Sequence, residues 1–191
     1  MMMDAWTKGY IGGIESSNYL SRVFRIAMFV VFTAISAQLA IRLPFTPVPV
    51  TMQTLFVALA GVLLGSRDGF YTLATYVVLG FAGIPWFANL SGGPHVIFGP
   101  TGGYIAAFPF SAWVAGRFVE LFGMRKATVF IATVMSSIMI LFSGVTYLKF
   151  AFGLPLYEAL SAGATPFVAV EILKAGLVTG MFKSFNRDIN G

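Results

Sequence analysis

Glu171 and Lys174 lie three residues apart inside an apolar stretch, Thr165-Pro-Phe-Val-Ala-Val-Glu171-Ile-Leu-Lys174-Ala-Gly-Leu-Val-Thr-Gly-Met-Phe182. A helix puts positions i and i+3 on one face, so this carboxylate and ammonium can converge. An ionisable group at the centre of a bilayer costs about 2.5–3.5 kcal/mol on insertion scales. Such groups normally face a bundle interior or a cavity rather than lipid. Two chemistries fit the pair. It can be an internal ion pair that neutralises both charges, at a desolvation cost. It can also anchor a polar ligand, with the carboxylate accepting N–H groups and the ammonium donating to an oxygen.

Other polar residues cluster in Pro- and Gly-rich segments. The first is Arg42-Leu-Pro44-Phe45-Thr46-Pro47-Val-Pro49-Val-Thr51-Met-Gln53-Thr54. Its prolines cannot continue a helix and favour extended or turn geometry. Gln53 and Thr54 then carry polar side chains into the next apolar run. The second runs from Gly83-Ile-Pro85-Trp86-Phe87-Ala-Asn89 through Ser91-Gly-Gly-Pro94-His95 to Gly99-Pro-Thr101-Gly-Gly-Tyr104. Glycine lets backbone approach a ligand closely, Asn89 offers both donor and acceptor, and Thr101 is placed to cap a following helix. The aromatic residues fit either an interfacial belt or walls that stack on a flat ligand. His95 is the only histidine; between Pro94 and Val96 it reads first as a loop residue. Gly99-Pro-Thr-Gly-Gly lacks the Gly-Lys-Ser/Thr ending of a phosphate loop. No nucleophile–base or metal-ligand spacing supports an enzyme, and none points to a cofactor. The third segment, 150–166, reads as an amphipathic surface turn, with Glu158 in solvent.

The elements that position these residues follow from composition. Of 191 residues, 58% are hydrophobic and 10% charged, against about 25% charged in soluble domains. Apolar runs of membrane-crossing length recur along the chain, and the alternation of a membrane β-barrel is missing. The expected fold is an all-α integral membrane protein with six spans, near 22–43, 51–65, 69–86, 101–121, 127–150 and 164–183. Residues 1–21 are expected as a cytoplasmic tail and 22–191 as one six-helix domain. The net charge of +5 does not imply nucleic acid, because the basic residues flank apolar segments. With the N-terminus inside, Lys8, Arg22, Arg25, Arg67, Arg117, Arg125, Lys126, Lys183 and Arg187 are cytoplasmic. Only Arg42 and Lys149 are outside. The positive-inside rule then puts both termini in the cytoplasm and the long Pro/Gly-rich loops outside, in a multi-pass protein of the cell membrane.

The first span carries small residues at helical spacing: Thr33 with Ala37, and Ser36 with Ala40. Such residues let helices approach closely. They fit packing within the bundle or, as a docking face, contact with a second membrane subunit.

Together these segments resemble the BioY family, the biotin-specific substrate-binding subunits of energy-coupling factor transporters. The likeness rests on Pro44-Phe-Thr-Pro47-Val-Pro49-Val-Thr51-Met-Gln53-Thr54-Leu, Gly83-Ile-Pro85, Gly99-Pro-Thr-Gly-Gly-Tyr104 and Glu171-Ile-Leu-Lys174-Ala, in order, and covers residues 25–183. The family usually has Asp where this chain has Glu171, and Ser91-Gly-Gly-Pro-His95 is less typical of it. The resemblance implies a six-helix membrane protein with a high-affinity biotin pocket near its outer face. It implies a transmembrane coupling subunit and two cytoplasmic ATPases as partners. It also implies that the residues matching Asn89, Glu171 and Lys174 bind ligand. Biotin needs donors for its ureido oxygen, acceptors for two N–H groups, a partner for its carboxylate and apolar walls. Gln53 and Thr101 can add neutral partners; Phe45, Trp86 and Tyr104 can supply walls. Whether Lys174 meets the ureido oxygen or the carboxylate is open at this level. A different small vitamin or metabolite, or a ligand-free membrane scaffold, is the competing expectation.

Overall fold

The computed structural model describes residues 19–188, with side chains as far as Met181. The expected tail, residues 1–21, lies outside these residues except for its last three, which already belong to the first helix. The elements are α1 (Tyr19–Gln38), β1 (Ala40–Ile41), β2 (Val50–Thr51), α2 (Gln53–Phe81), a 3-10 turn (Ala88–Leu90), α3 (Pro94–Ile97), α4 (Gly102–Phe122), α5 (Lys126–Ala151), α6 (Leu156–Gly163) and α7 (Thr165–Asp188). Among the described residues, four stretches are long and apolar enough to cross a membrane: Tyr19–Gln38, Gly102–Phe122, Lys126–Ala151 and Leu156–Met181.

The α2 helix is two helices joined at Gly65, whose φ of 83° and ψ of 172° break the helical path. A left-handed φ of this kind suits glycine. The break reverses the chain. Gln53 Nε2 donates to the Tyr76 hydroxyl at 2.8 Å, whereas a straight helix would separate these residues by roughly 34 Å. The two halves, 53–64 and 66–81, pack so closely that a Cβ on Gly69 would lie 2.9 Å from the Gly61 Cα. The α4 helix presses against the same turn, since a Cβ on Gly116 would meet the Ser66 nitrogen at 2.5 Å. Glu120 of α4 satisfies the start of the second half: its carboxylate accepts from the Ser66 N–H at 2.7 Å and hydroxyl at 2.9 Å. A carboxylate there also complements the positive end of the helix dipole.

The first span ends at Gln38 rather than 43. Beyond it the prolines at 44, 47 and 49 prevent helix, and the chain instead makes a short antiparallel pair, Ala40 opposite Thr51 and Ile41 opposite Val50. This ribbon was not foreseen. Segment 150–166 contains the α6 helix, where Tyr157 is exposed and Ala159 buried, in line with an amphipathic surface element.

Arg22, near the start of α1, bonds Asp68 just past the α2 turn, and Ser66 bonds the last turns of α4. One end of the bundle therefore gathers Arg22, Arg67, Arg117, Arg125 and Lys126. The opposite end carries the β ribbon, the 82–101 connection and α6. Thr33, Ser36 and Ala37 are buried inside the bundle, with the hydroxyls of Thr33 and Ser36 bonded back to Phe29 and Thr33 carbonyls. Ala40 belongs to the ribbon. Thr33, Ser36 and Ala37 thus pack α1 against its own bundle and do not present a docking face. The outward face of α1 is instead Leu20, Val23, Phe24, Val31, Ile35 and Leu39.

Candidate functional site

The Pro-rich connection, the 82–101 connection and the N-terminal half of α7 enclose a cavity of about 450 Å3. That lies within the range of small-molecule sites, roughly 300–1,000 Å3. Its polar floor is Glu171 and Lys174, only 7% and 3% exposed, paired at 2.6 Å. The pair is held by a wider network. Lys174 Nζ donates to the Thr51 carbonyl at 2.7 Å, to Thr54 Oγ1 at 2.7 Å and to Glu171 Oε1. An ammonium has three donors, and all three are matched. Glu171 Oε1 also accepts from the Thr54 hydroxyl at 2.8 Å, and Oε2 accepts from Ser137 at 2.7 Å. A carboxylate offers about four acceptor sites, so Oε2 retains one among the described residues. That vacancy suits a ligand N–H. Thr51 and Thr54 reach the pair because the ribbon ends where α2 begins; Ser137 reaches it from α5.

Six of the expected ligand-binding residues line this cavity: Asn89, Glu171, Lys174, Gln53, Thr101 and Tyr104. Asn89 sits at φ 59°, ψ 39°, a left-handed conformation that Asn tolerates better than most residues. Its loop is clamped by Gln38 at the end of α1. Gln38 Nε2 donates to the Phe87 carbonyl at 3.1 Å, and its Oε1 accepts from the Leu90 N–H at 3.0 Å. Tyr104 donates its hydroxyl to the Gly163 carbonyl at 2.8 Å, which leaves its ring as wall. Gln53 is partly committed, donating to Tyr76 and accepting from Thr51 Oγ1 at 3.0 Å. Thr101 precedes α4, but its side chain makes no cap bond.

Two expected walls stand elsewhere. Phe45 is 64% exposed, and Trp86 stacks on Tyr76 at 5.4 Å with its indole N–H donated to the Tyr76 carbonyl. Neither lines the cavity; Phe87, Phe108, Ile140 and Phe167 do. Thr54 and Ser137, which hold Glu171, were not among the expected site residues, and neither were Thr46, Thr51 and Ser91 of the lining. Arg42 and His95 also line the cavity, which places a basic residue in its wall besides Lys174.

Comparison with known proteins gives the same frame. The sequence model described as the BioY family matches residues 7–191, further toward the N-terminus than the resemblance over 25–183. The chain is 39% identical over 150 residues to a probable biotin transporter BioY of Pyrococcus horikoshii, covering 78% of this chain and 86% of that one. It is 34% identical over 156 residues to a biotin transporter BioY of Thermotoga maritima, covering 81% and 89%. The crystal structure of the S-component for biotin from an ECF-type ABC transporter superposes with a TM-score of 0.81 at 25% identity, covering 88% of this chain and 92% of that one. With a family match across nearly the whole sequence and relatives of this identity and coverage, the chain belongs to the BioY family.

Proposed function

We propose that this chain is the biotin-binding membrane subunit of a vitamin uptake transporter. The observation that carries the reading is the buried Glu171–Lys174 pair flooring a cavity of about 450 Å3, in a chain whose relatives are named biotin transporters. As a member of a transporter family, the chain is a transport component and not an enzyme.

The geometry favours a particular division of labour. Lys174 already has three acceptors, so its first role is to hold the Glu171 carboxylate charged and oriented. Glu171 Oε2 accepts one ureido N–H, and Asn89 closes over the other side of the ureido group. The ureido oxygen accepts a hydrogen bond from Lys174 only if Nζ gives up its bond to the Thr51 carbonyl or to Thr54 Oγ1. The aromatic and aliphatic walls cover the thiophane ring and valerate chain.

We further propose six crossings within one membrane domain, 22–191, the two halves of α2 supplying the second and third. Both termini lie on the cytoplasmic side of the cell membrane, because the basic residues gather at one end of the bundle and that end carries the N-terminus of α1. Ligand then enters from the opposite, extracytoplasmic end. A transmembrane coupling subunit and two ATPases complete the module; the likeness to the S-component for biotin of an ECF-type ABC transporter supports this assignment.

Isothermal titration of the purified protein with biotin, biotin methyl ester and desthiobiotin tests the reading. Tight binding of biotin is expected. Absence of heat and of any thermal shift with all three compounds overturns it.

A further inference from the structure

Away from the cavity, the second half of α2 and the facing side of α4 leave a groove on the outside of the bundle. Its lining is Arg67, Phe70, Tyr71, Phe110 and Trp113, and its volume is about 420 Å3. Arg67, Phe70 and Tyr71 share one face of α2 at spacings of three and four. Phe110, Trp113 and Arg117 share one face of α4 at spacings of three and four. Phe70 meets Phe110 edge to face at 5.5 Å, joining the two walls. Tyr71, Phe110 and Trp113 are each about half exposed, as expected of side chains that face lipid.

The polar groups at the basic end of this groove are unevenly matched. Arg67 is exposed and has no hydrogen-bond or ion-pair partner among the described residues. Arg117 reaches Glu120 at 3.4 Å, while the same carboxylate holds Ser66 more closely. A second carboxylate at this end, Asp68, is engaged by Arg22. The Trp113 indole N–H has no acceptor among the described residues. An apolar trough thus runs from a lipid-facing surface to Arg67, unpaired among the described residues, and to Arg117, held only at 3.4 Å by a carboxylate that Ser66 shares. Cations at the edge of membrane-embedded helices attract anionic headgroups, and guanidinium suits phosphate.

We propose that this groove binds an anionic glycerophospholipid, with its phosphate on Arg67 and Arg117 and one acyl chain along Phe70, Phe110 and Trp113. Such a lipid bridges α2 and α4 close to the Gly65 turn. Neutral phospholipids match the trough but carry no net charge for the cations.

Native mass spectrometry of the delipidated full chain, titrated with phosphatidylglycerol or phosphatidylcholine of the same acyl chains, tests this. Phosphatidylglycerol should be retained at least about fivefold better, in keeping with its charge. Arg67→Gln should lower that preference, and Arg67→Gln/Arg117→Gln should abolish it. Biotin titration of the same samples should be unaffected, which separates this site from the cavity. Equal retention of the two lipids by the natural chain overturns the proposal. So does an undiminished preference in Arg67→Gln, a substitution at an exposed side chain with no partner among the described residues.

Discussion

Lys174 places its three ammonium protons on the Thr51 carbonyl, the Thr54 hydroxyl and Glu171, and this saturation decides what substitutions do. Removing one partner of a buried pair leaves a charge uncompensated, at about 3–5 kcal/mol, whereas replacing both with apolar residues is often neutral. Lys174→Met should therefore destabilise the protein by about 3 kcal/mol in a chemical or thermal unfolding series. Glu171→Leu/Lys174→Met should recover most of that loss; additive destabilisation would show that the pair is not coupled. The pair itself was legible in the sequence because it is local: a helix fixes what i and i+3 can do. Its hydroxyl partners were not legible. Several buried hydroxyls in these helices bond their own backbone, as Thr72 does to Asp68 and Thr133 to Val129. Ser137 departs from that pattern and reaches Glu171 from 34 positions away. No spacing rule distinguishes it from its neighbour Ser136. Trp86 was misplaced for a similar reason. Its ring direction depends on Tyr76, a contact that exists only once α2 has turned back on itself.

At the scale of elements, helix existence followed from apolar run length, and the reversal at Gly65 was visible as Gly65-Ser-Arg67-Asp68-Gly69 between two short runs. The boundary of α1 was not. The sequence remains apolar after Gln38, but prolines downstream convert its continuation into a ribbon. That early ending gives Gln38 its role, because its amide then faces the loop that carries Asn89. Two hydrogen bonds, one to each side of the loop, hold a backbone in which Asn89 and Leu90 both have positive φ. Leu90 is not suited to that region, so the loop needs outside support. Gln38→Ala should leave the helices intact and raise the biotin off-rate about tenfold, equivalent to about 1.4 kcal/mol. Stopped-flow dissociation measures it; an unchanged off-rate would remove Gln38 from the site's support. Small residues on α1 illustrate the converse limit. Their spacing announced close packing, but only the folded bundle shows that the neighbour is the chain's own.

For the whole molecule, separation of basic residues between the two ends gives a topology that can be measured directly. The natural chain has no cysteine, so single cysteines can be introduced without a background. Cysteine at Arg42 or His95 should react with a membrane-impermeant maleimide in intact cells, and cysteine at Arg125 only after permeabilisation. The reverse pattern would invert the proposed orientation. The sequence carried this charge asymmetry plainly. It did not carry the shape of the cavity, which depends on the ribbon, the 82–101 connection and α7 meeting at one end. The central claim joins that cavity to biotin through Glu171 and Lys174. Calorimetric titration of the natural chain beside folded Glu171→Leu/Lys174→Met tests it most directly. The natural chain should bind biotin tightly and the double variant at least about a hundredfold more weakly, about 2.7 kcal/mol; equal affinity in the two proteins would contradict the account.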